Sequence, residues 1–194
     1  MNEMSAICRL LGSFFYLSIN AEQNQIAIGQ LRQHYHDINE EFSQFVLSID
    51  SDDPQALDCD FFKLFEGAAV MDAPPWGSVY LDQESILFGY STVRYQHFMH
   101  KYHLALNLDM NEPRDQFGLM LLAASELFER KDSDIAVKEL FGEHILPWCF
   151  RYLELVELHA DTNSYKALAR LACACCAYIK EDLDINIESV PLYR

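Results

Sequence analysis

Apolar residues recur at helical spacing along almost the whole chain, and no segment alternates apolar and polar residues as a half-buried strand would. Met4, Ile7, Leu11, Phe14 and Phe15 mark one face of a first helix over about 2–17. A second runs over 21–36 with Ile26, Ile28, Leu31 and Tyr35, and a third over 40–49 with Phe42, Phe45, Val46 and Ile49. Asp52-Asp53-Pro54 reads as a helix start, because acids before a proline suit the first turn; that helix carries Leu57, Phe61, Phe62 and Phe65 and ends at Gly67. Further helices are predicted over 91–103, 113–130, 132–145, 147–159 and 164–182. Helix 113–130 is apolar nearly all round, as a central buried helix is. The pattern predicts an all-α chain, organised as one domain over residues 1–194.

Residues 67–90 break this regularity, with Gly67, Pro74, Pro75, Gly77 and Gly89 interrupting any long periodic element. A connection of that length inside a compact domain is more often functional than incidental. Val79-Tyr80-Leu81 within it reads as a short extended piece. The segment displays Pro74-Pro75-Trp76-Gly77-Ser78, a large aromatic on a φ-restricted loop. Trp76 either offers its ring to an apolar ligand side chain or plugs the local core. Downstream, Asn111-Glu112-Pro113-Arg114-Asp115 opens the central helix, with Pro113 at its first position, Glu112 as cap and Asp115 closing the first turn. Carboxylates there complement the helix dipole; one of them also suits a guanidinium, which carboxylates pair in bidentate fashion.

The formal net charge is −16, from 30 acidic and 14 basic side chains. That field repels nucleic-acid phosphate and favours cationic peptides, though acidity also serves plain solubility. The longest apolar run, 119–124, falls far short of a membrane span, and the Met1-Asn2-Glu3 start shows no basic signal region. Six cysteines without a ladder of spacings argue against a disulfide framework and for a reducing cytosol. Cys173, Cys175 and Cys176 sit among alanines, where close helix packing explains them. His97, His100 and His103 drift round a helix too far for all three to hold one ion, so no metal site is expected. Phosphate-loop, zinc-protease and nucleophile-elbow motifs are missing, as is the Glu-x-x-His of di-iron bundles; no catalytic residue and no cofactor are expected.

Together, Ala73 to Tyr80, Glu84-Ser85-Ile86-Leu87-Phe88-Gly89 and Asn111 to Asp115 resemble in order and spacing the TorD/DmsD family of redox-enzyme maturation chaperones, nearest its DmsD branch. A weaker extension runs from Ile7-Cys8-Arg9-Leu10-Leu11-Gly12 to Leu146-Pro147-Trp148. The resemblance implies a TorD-like irregular helical bundle, a monomer or a helix-swapped dimer, and a cytoplasmic protein. It implies binding of the twin-arginine signal peptide of a molybdenum-containing reductase subunit, of the dimethyl sulfoxide or trimethylamine N-oxide type. Holding that leader would delay export until cofactor insertion, with transient contact to the export machinery. By the same carry-over Trp76, Gly77 and Ser78 line the leader pocket, with Tyr80, Leu87 and Phe88 beside them. Glu112, Pro113, Asp115 and Gln116 stand at the family's Glu-Pro-x-Asp-His motif. Gln116 replaces the histidine, which keeps a hydrogen-bonding role and removes a titrating one. Two rivals stay open: a metal- or nucleotide-dependent enzyme using Glu112 and Asp115, and an assembly factor that grips the folded client instead of its leader.

Overall fold

The computed structural model describes residues 2–34, 40–67, 71–105, 112–131, 133–187 and 189–194. The regular elements among the described residues are all helices, without a β-strand: α1 (Glu3–Tyr16), α2 (Glu22–His34), α3 (Glu40–Ser51), α4 (Pro54–Phe61), α5 (Gly77–Leu81), α6 (Tyr90–Lys101), α7 (Phe117–Glu129), α8 (Asp134–Glu139), α9 (Leu146–His159) and α10 (Asn163–Asp182). Two π-helical stretches, Phe62–Glu66 and Leu140–Ile145, continue α4 and α8. The all-α class and the places of the long helices follow the apolar spacing. Tyr35, His36, Asn111 and Asp132 lie outside the described residues.

Contacts divide the chain into two compact units, one of residues 1–16, 75–150 and 177–194, the other of 17–74 and 151–176. In the second unit Asp53 caps α4 by accepting from the Ala56 N–H at 3.0 Å, the start that Asp-Asp-Pro announces. Asp60, buried, accepts from the Asp161 and Thr162 amides and the Thr162 hydroxyl at 2.7–3.1 Å. Asp52 accepts from the Ser164 N–H and Oγ at 2.7 Å and so holds the start of α10. Phe61, Phe65 and Tyr165 pack as an aromatic cluster between these anchors.

The first unit is organised by α1 against α7. They cross where glycine meets glycine: a Cβ at Gly118 would lie 2.6 Å from the Gly12 carbonyl oxygen, and one at Gly12 2.8 Å from that of Gly118. Only residues without side chains permit that approach. The Ser5 hydroxyl donates to the Ser125 carbonyl at 3.0 Å, and Gln116 Nε2 to the Phe15 carbonyl at 2.9 Å, so both ends of the crossing are tied by hydrogen bonds.

Three local expectations are corrected. Helix α7 starts at Phe117, with Gln116 as its cap through Oε1 accepting from the Leu119 N–H at 2.9 Å; Glu112 is not the cap and Pro113 is not the first helical residue. Residues 113–116 form a turn instead, closed by Gln116 N–H to the Pro113 carbonyl at 3.2 Å. Val79-Tyr80-Leu81 is helical, not extended. Helix α6 ends at Lys101, and His103 has φ 51°, in the left-handed region, which takes it off the line of His97 and His100.

Candidate functional site

The two motifs read from the sequence form one built object in the first unit. The Phe117 N–H donates to the Pro75 carbonyl at 2.8 Å, and Trp76 pairs with Gln116 in an isolated antiparallel bridge. One residue on, the Gly77 N–H donates to the Asp115 carbonyl at 3.1 Å and the Ser78 N–H to Asp115 Oδ2 at 2.7 Å. The first turn of α5 thus has its orphan amides satisfied by a residue 37 positions later in the chain. Trp76 cannot supply that cap, because its side chain offers no acceptor. The same indole donates outward, from Nε1 to Glu112 Oε1 at 2.7 Å.

Burial sorts the predicted residues. Trp76 and Glu112 are half-buried and reach solvent as a hydrogen-bonded pair. Gly77, Ser78, Pro113, Asp115 and Gln116 are buried beneath them. Asp115 is 2% exposed: it does not close a helical turn, and the turn folds it inward onto Ser78. Burial raises its pKa above the usual carboxylate range, and the Ser78 N–H, with the nearby Ser78 and Thr92 hydroxyls, opposes the rise. Its second oxygen, Oδ1, makes no hydrogen bond of good geometry, nor do Ser78 Oγ, Thr92 Oγ1 and Tyr95 OH. Asp115 and Tyr95 line a small pocket of about 10 Å³ with Gly77, Leu81, Ser91, Arg94, Met120 and His144, a space on the scale of one water.

Tyr80 is fully buried, stacked on Trp148 with ring centroids 5.3 Å apart; it supports the site from below and offers no open face. Trp148 is fixed in turn by its Nε1 donating to the His144 carbonyl at 2.7 Å, inside the π-helical stretch. A Cβ on Gly77 would lie 3.0 Å from that indole nitrogen, which gives the glycine after Trp76 a packing reason. His144 itself is buried, and burial with the nearby Arg94 charge lowers its pKa to about 4.

Leu87 and Phe88 stand apart from the Trp76 pair, exposed on the loop between α5 and α6. Asp82 closes that loop by accepting from the Ser91 N–H and, at 2.8 Å, from Ser91 Oγ, capping α6 from outside the helix. Ser85 and Phe88 have φ of 48° and 60°, a conformation uncommon for residues with side chains. Asp82, Thr92, Tyr95, His144 and Trp148 complete the site and were not picked out as site residues from the sequence. Of these only Trp148 had a signal there, in the resemblance through Leu146-Pro147-Trp148. No group of three or more metal-ligating side chains occurs among the described residues. The arrangement presents at the surface a half-buried carboxylate oriented by an indole.

Comparison with known proteins gives the class, the helical maturation chaperones of redox enzymes. The family model described as nitrate reductase delta subunit matches residues 28–154. A Tat proofreading chaperone DmsD from Salmonella typhimurium is 30% identical over 204 residues, covering 100% of this chain and 97% of that protein. A chaperone protein TorD from Vibrio vulnificus is 26% identical over 139 residues, 66% of this chain and 65% of its own. A solved chain from Archaeoglobus fulgidus, described as a presumed redox enzyme maturation protein, superposes with TM-score 0.61 at 18% identity, covering 93% of this chain and 96% of that one, and shares the fold. The chain belongs to the TorD/DmsD family of redox-enzyme maturation chaperones. No helix among the described residues is long and apolar enough to cross a membrane.

Proposed function

We propose that this protein is a cytoplasmic chaperone that binds the twin-arginine leader of a molybdenum-containing reductase subunit, of the dimethyl sulfoxide or trimethylamine N-oxide type, and holds back export until the cofactor is in place. The observation that carries the reading is the Trp76–Glu112 pair. Glu112 is the motif carboxylate that reaches solvent, and the indole N–H orients it at 2.7 Å. A guanidinium pairs a carboxylate in bidentate fashion, and a carboxylate already oriented and half-buried suits that contact. Trp76 adds an aromatic face to which an arginine can also stack. Leu87 and Phe88 lie on the loop that follows α5 and provide apolar surface for the rest of the leader. Asp115, Gln116, Ser78, Pro113 and Gly77 serve from below by holding the loop in place.

The net charge of −16 favours encounter with a cationic leader. Binding is the whole of the mechanism; no bond is made or broken. The test is co-purification with a client subunit that carries or lacks its leader. Capture of the leader-bearing form alone supports the proposal. Equal capture of both forms favours an assembly factor that grips the folded client.

A further inference from the structure

Beyond α10 the chain returns to α5. The Tyr193 N–H donates to the Tyr80 carbonyl at 3.0 Å, which satisfies one of the orphan acceptors at the C-terminal end of that short helix. Residues 189–194 form no helix or strand, and Val190, Leu192 and Tyr193 remain 39–45% exposed. Ile185 differs. It is buried, and a Cβ on Gly142 would lie 3.2 Å from its Cγ2. The chain is therefore anchored at Ile185 and rests on the surface over 189–194; a segment that buries so little opens at low free energy. Ile185 and Val190 line one cleft of about 650 Å³ together with Leu81, Arg94, Gly142 and Pro147, among further charged groups of both signs. That volume is in the range of ligand sites, roughly 300–1,000 Å³. Leu81 and Arg94 also line the small pocket of Asp115 and Gly77, so the cleft adjoins the base of the Trp76 site.

Resting on the leader-binding reading, we infer that residues 189–194 are an internal competitor of the leader, covering the α5 side of this cleft in the unbound protein and displaced when a leader binds. Position supports it. Trp76 directly precedes α5 and the loop of Leu87 and Phe88 follows it, so a leader that reaches both passes Tyr80 and Leu81, where the segment is tied. Composition supports it as well. Ser189-Val190-Pro191-Leu192-Tyr193-Arg194 holds no acid in a chain that carries 30, and its apolar side chains are followed by an arginine. An apolar run with a guanidinium is the chemistry that the Trp76–Glu112 site selects in a leader. The exchange is also conservative: a leader backbone N–H can take over the Tyr80 carbonyl, so opening leaves no acceptor unpaired. The segment thereby lowers the affinity for the leader by the fraction of molecules in which it is closed.

The test uses the full chain with Tyr193→Pro, which removes the N–H that Tyr80 accepts at a position whose side chain is exposed. Calorimetric titration should show the twin-arginine leader bound about three- to tenfold more tightly than by wild type, with the melting temperature of the unbound protein unchanged. A second variant, Val190→Ser with Leu192→Ser, weakens the cover without touching that bond and should shift affinity in the same direction. In wild type, the Tyr193 amide resonance should move to its random-coil position as leader is added. Affinity equal to wild type in both variants overturns the inference and leaves the leader reading standing. Weaker binding by the variants also overturns it, because the segment is then part of the seat. So does a Tyr193 resonance that stays in place in the leader complex. Binding by the variants where wild type binds nothing supports a closed cover. If wild type and both variants bind no leader, the underlying reading falls, and the inference with it.

Discussion

Replacing Asp115 separates a clip from a contact. Oδ2 is the acceptor for the buried Ser78 N–H at 2.7 Å, so Asp115→Ala leaves that amide unpaired. An unsatisfied buried donor costs about 1–3 kcal/mol. Asp115→Asn keeps an oxygen for Ser78 and turns an NH2 toward the Ser78 and Thr92 hydroxyls, both able to accept, while abolishing the cost of a buried charge. The asparagine variant should therefore lie within about 1 kcal/mol of wild type at neutral pH, and the alanine variant well below both.

The pH dependence follows from the raised carboxyl pKa. A folded-state pKa above the unfolded value means that the native state holds the proton more tightly. The contribution of Asp115 to stability is therefore fully present below the unfolded value, about 3.9, and is lost as pH rises through the folded one. The amide introduced by Asp115→Asn does not titrate, so the stability of that variant relative to wild type should improve as pH is raised from about 4 toward 7. Urea unfolding of the three proteins across that range is the assay. An asparagine variant as unstable as the alanine variant, or one that loses ground as pH rises, would refute the clip.

His144 should behave in the opposite sense. With a folded pKa of about 4 against 6.5 free, its contribution is complete above the free value and is lost as pH falls toward the folded one, about 3 kcal/mol in all; denaturation of His144→Gln should show a flatter profile in that window. Gly77→Ala puts a Cβ 3.0 Å from the buried Trp148 indole, and the melting temperature should reflect a loss of about 1–3 kcal/mol. Gly118→Ala, whose Cβ would meet backbone atoms of α1 at 2.6 and 2.9 Å, should lose about 3 kcal/mol or more in the same measurement. Trp76→Phe keeps an aromatic ring and removes the donor to Glu112, so leader affinity should fall while the melting temperature stays near wild type.

The helices were legible in the sequence because each buries a face whose spacing lies in a single segment, as Met4 to Phe15 and Phe117 to Phe128 show. The caps divided by range. Asp53 serves an amide three residues on, and the Asp-Asp-Pro pattern reveals it. Asp115 serves α5 from 37 residues away and Asp82 serves α6 from nine, and nothing in either local pattern marks them as caps. Because its cap is remote, Val79-Tyr80-Leu81 read as extended. Glu112-Pro113 looked like a helix start for the complementary reason. A proline after an acid suits the first turn, but Pro75 and Trp76 had already engaged the 116–117 backbone, which made Gln116 the cap. The pairing of the two motifs was legible through family resemblance; their hydrogen bonds, and the burial of Asp115 beneath Glu112, required the fold.

The central claim is that Glu112, oriented by Trp76, reads an arginine of a leader peptide. Its most direct test is a double-mutant cycle by titration calorimetry: wild type and Glu112→Gln, each against the twin-arginine leader and the same peptide with glutamines in place of the arginines. The account predicts saturable binding of the wild-type pair and losses that are clearly less than additive, with a coupling of about 1.5–3 kcal/mol for a charge-assisted contact. Additive losses, within about 0.3–0.5 kcal/mol, would show that Glu112 does not touch the arginines, and a flat titration of the wild-type pair would contradict leader binding itself.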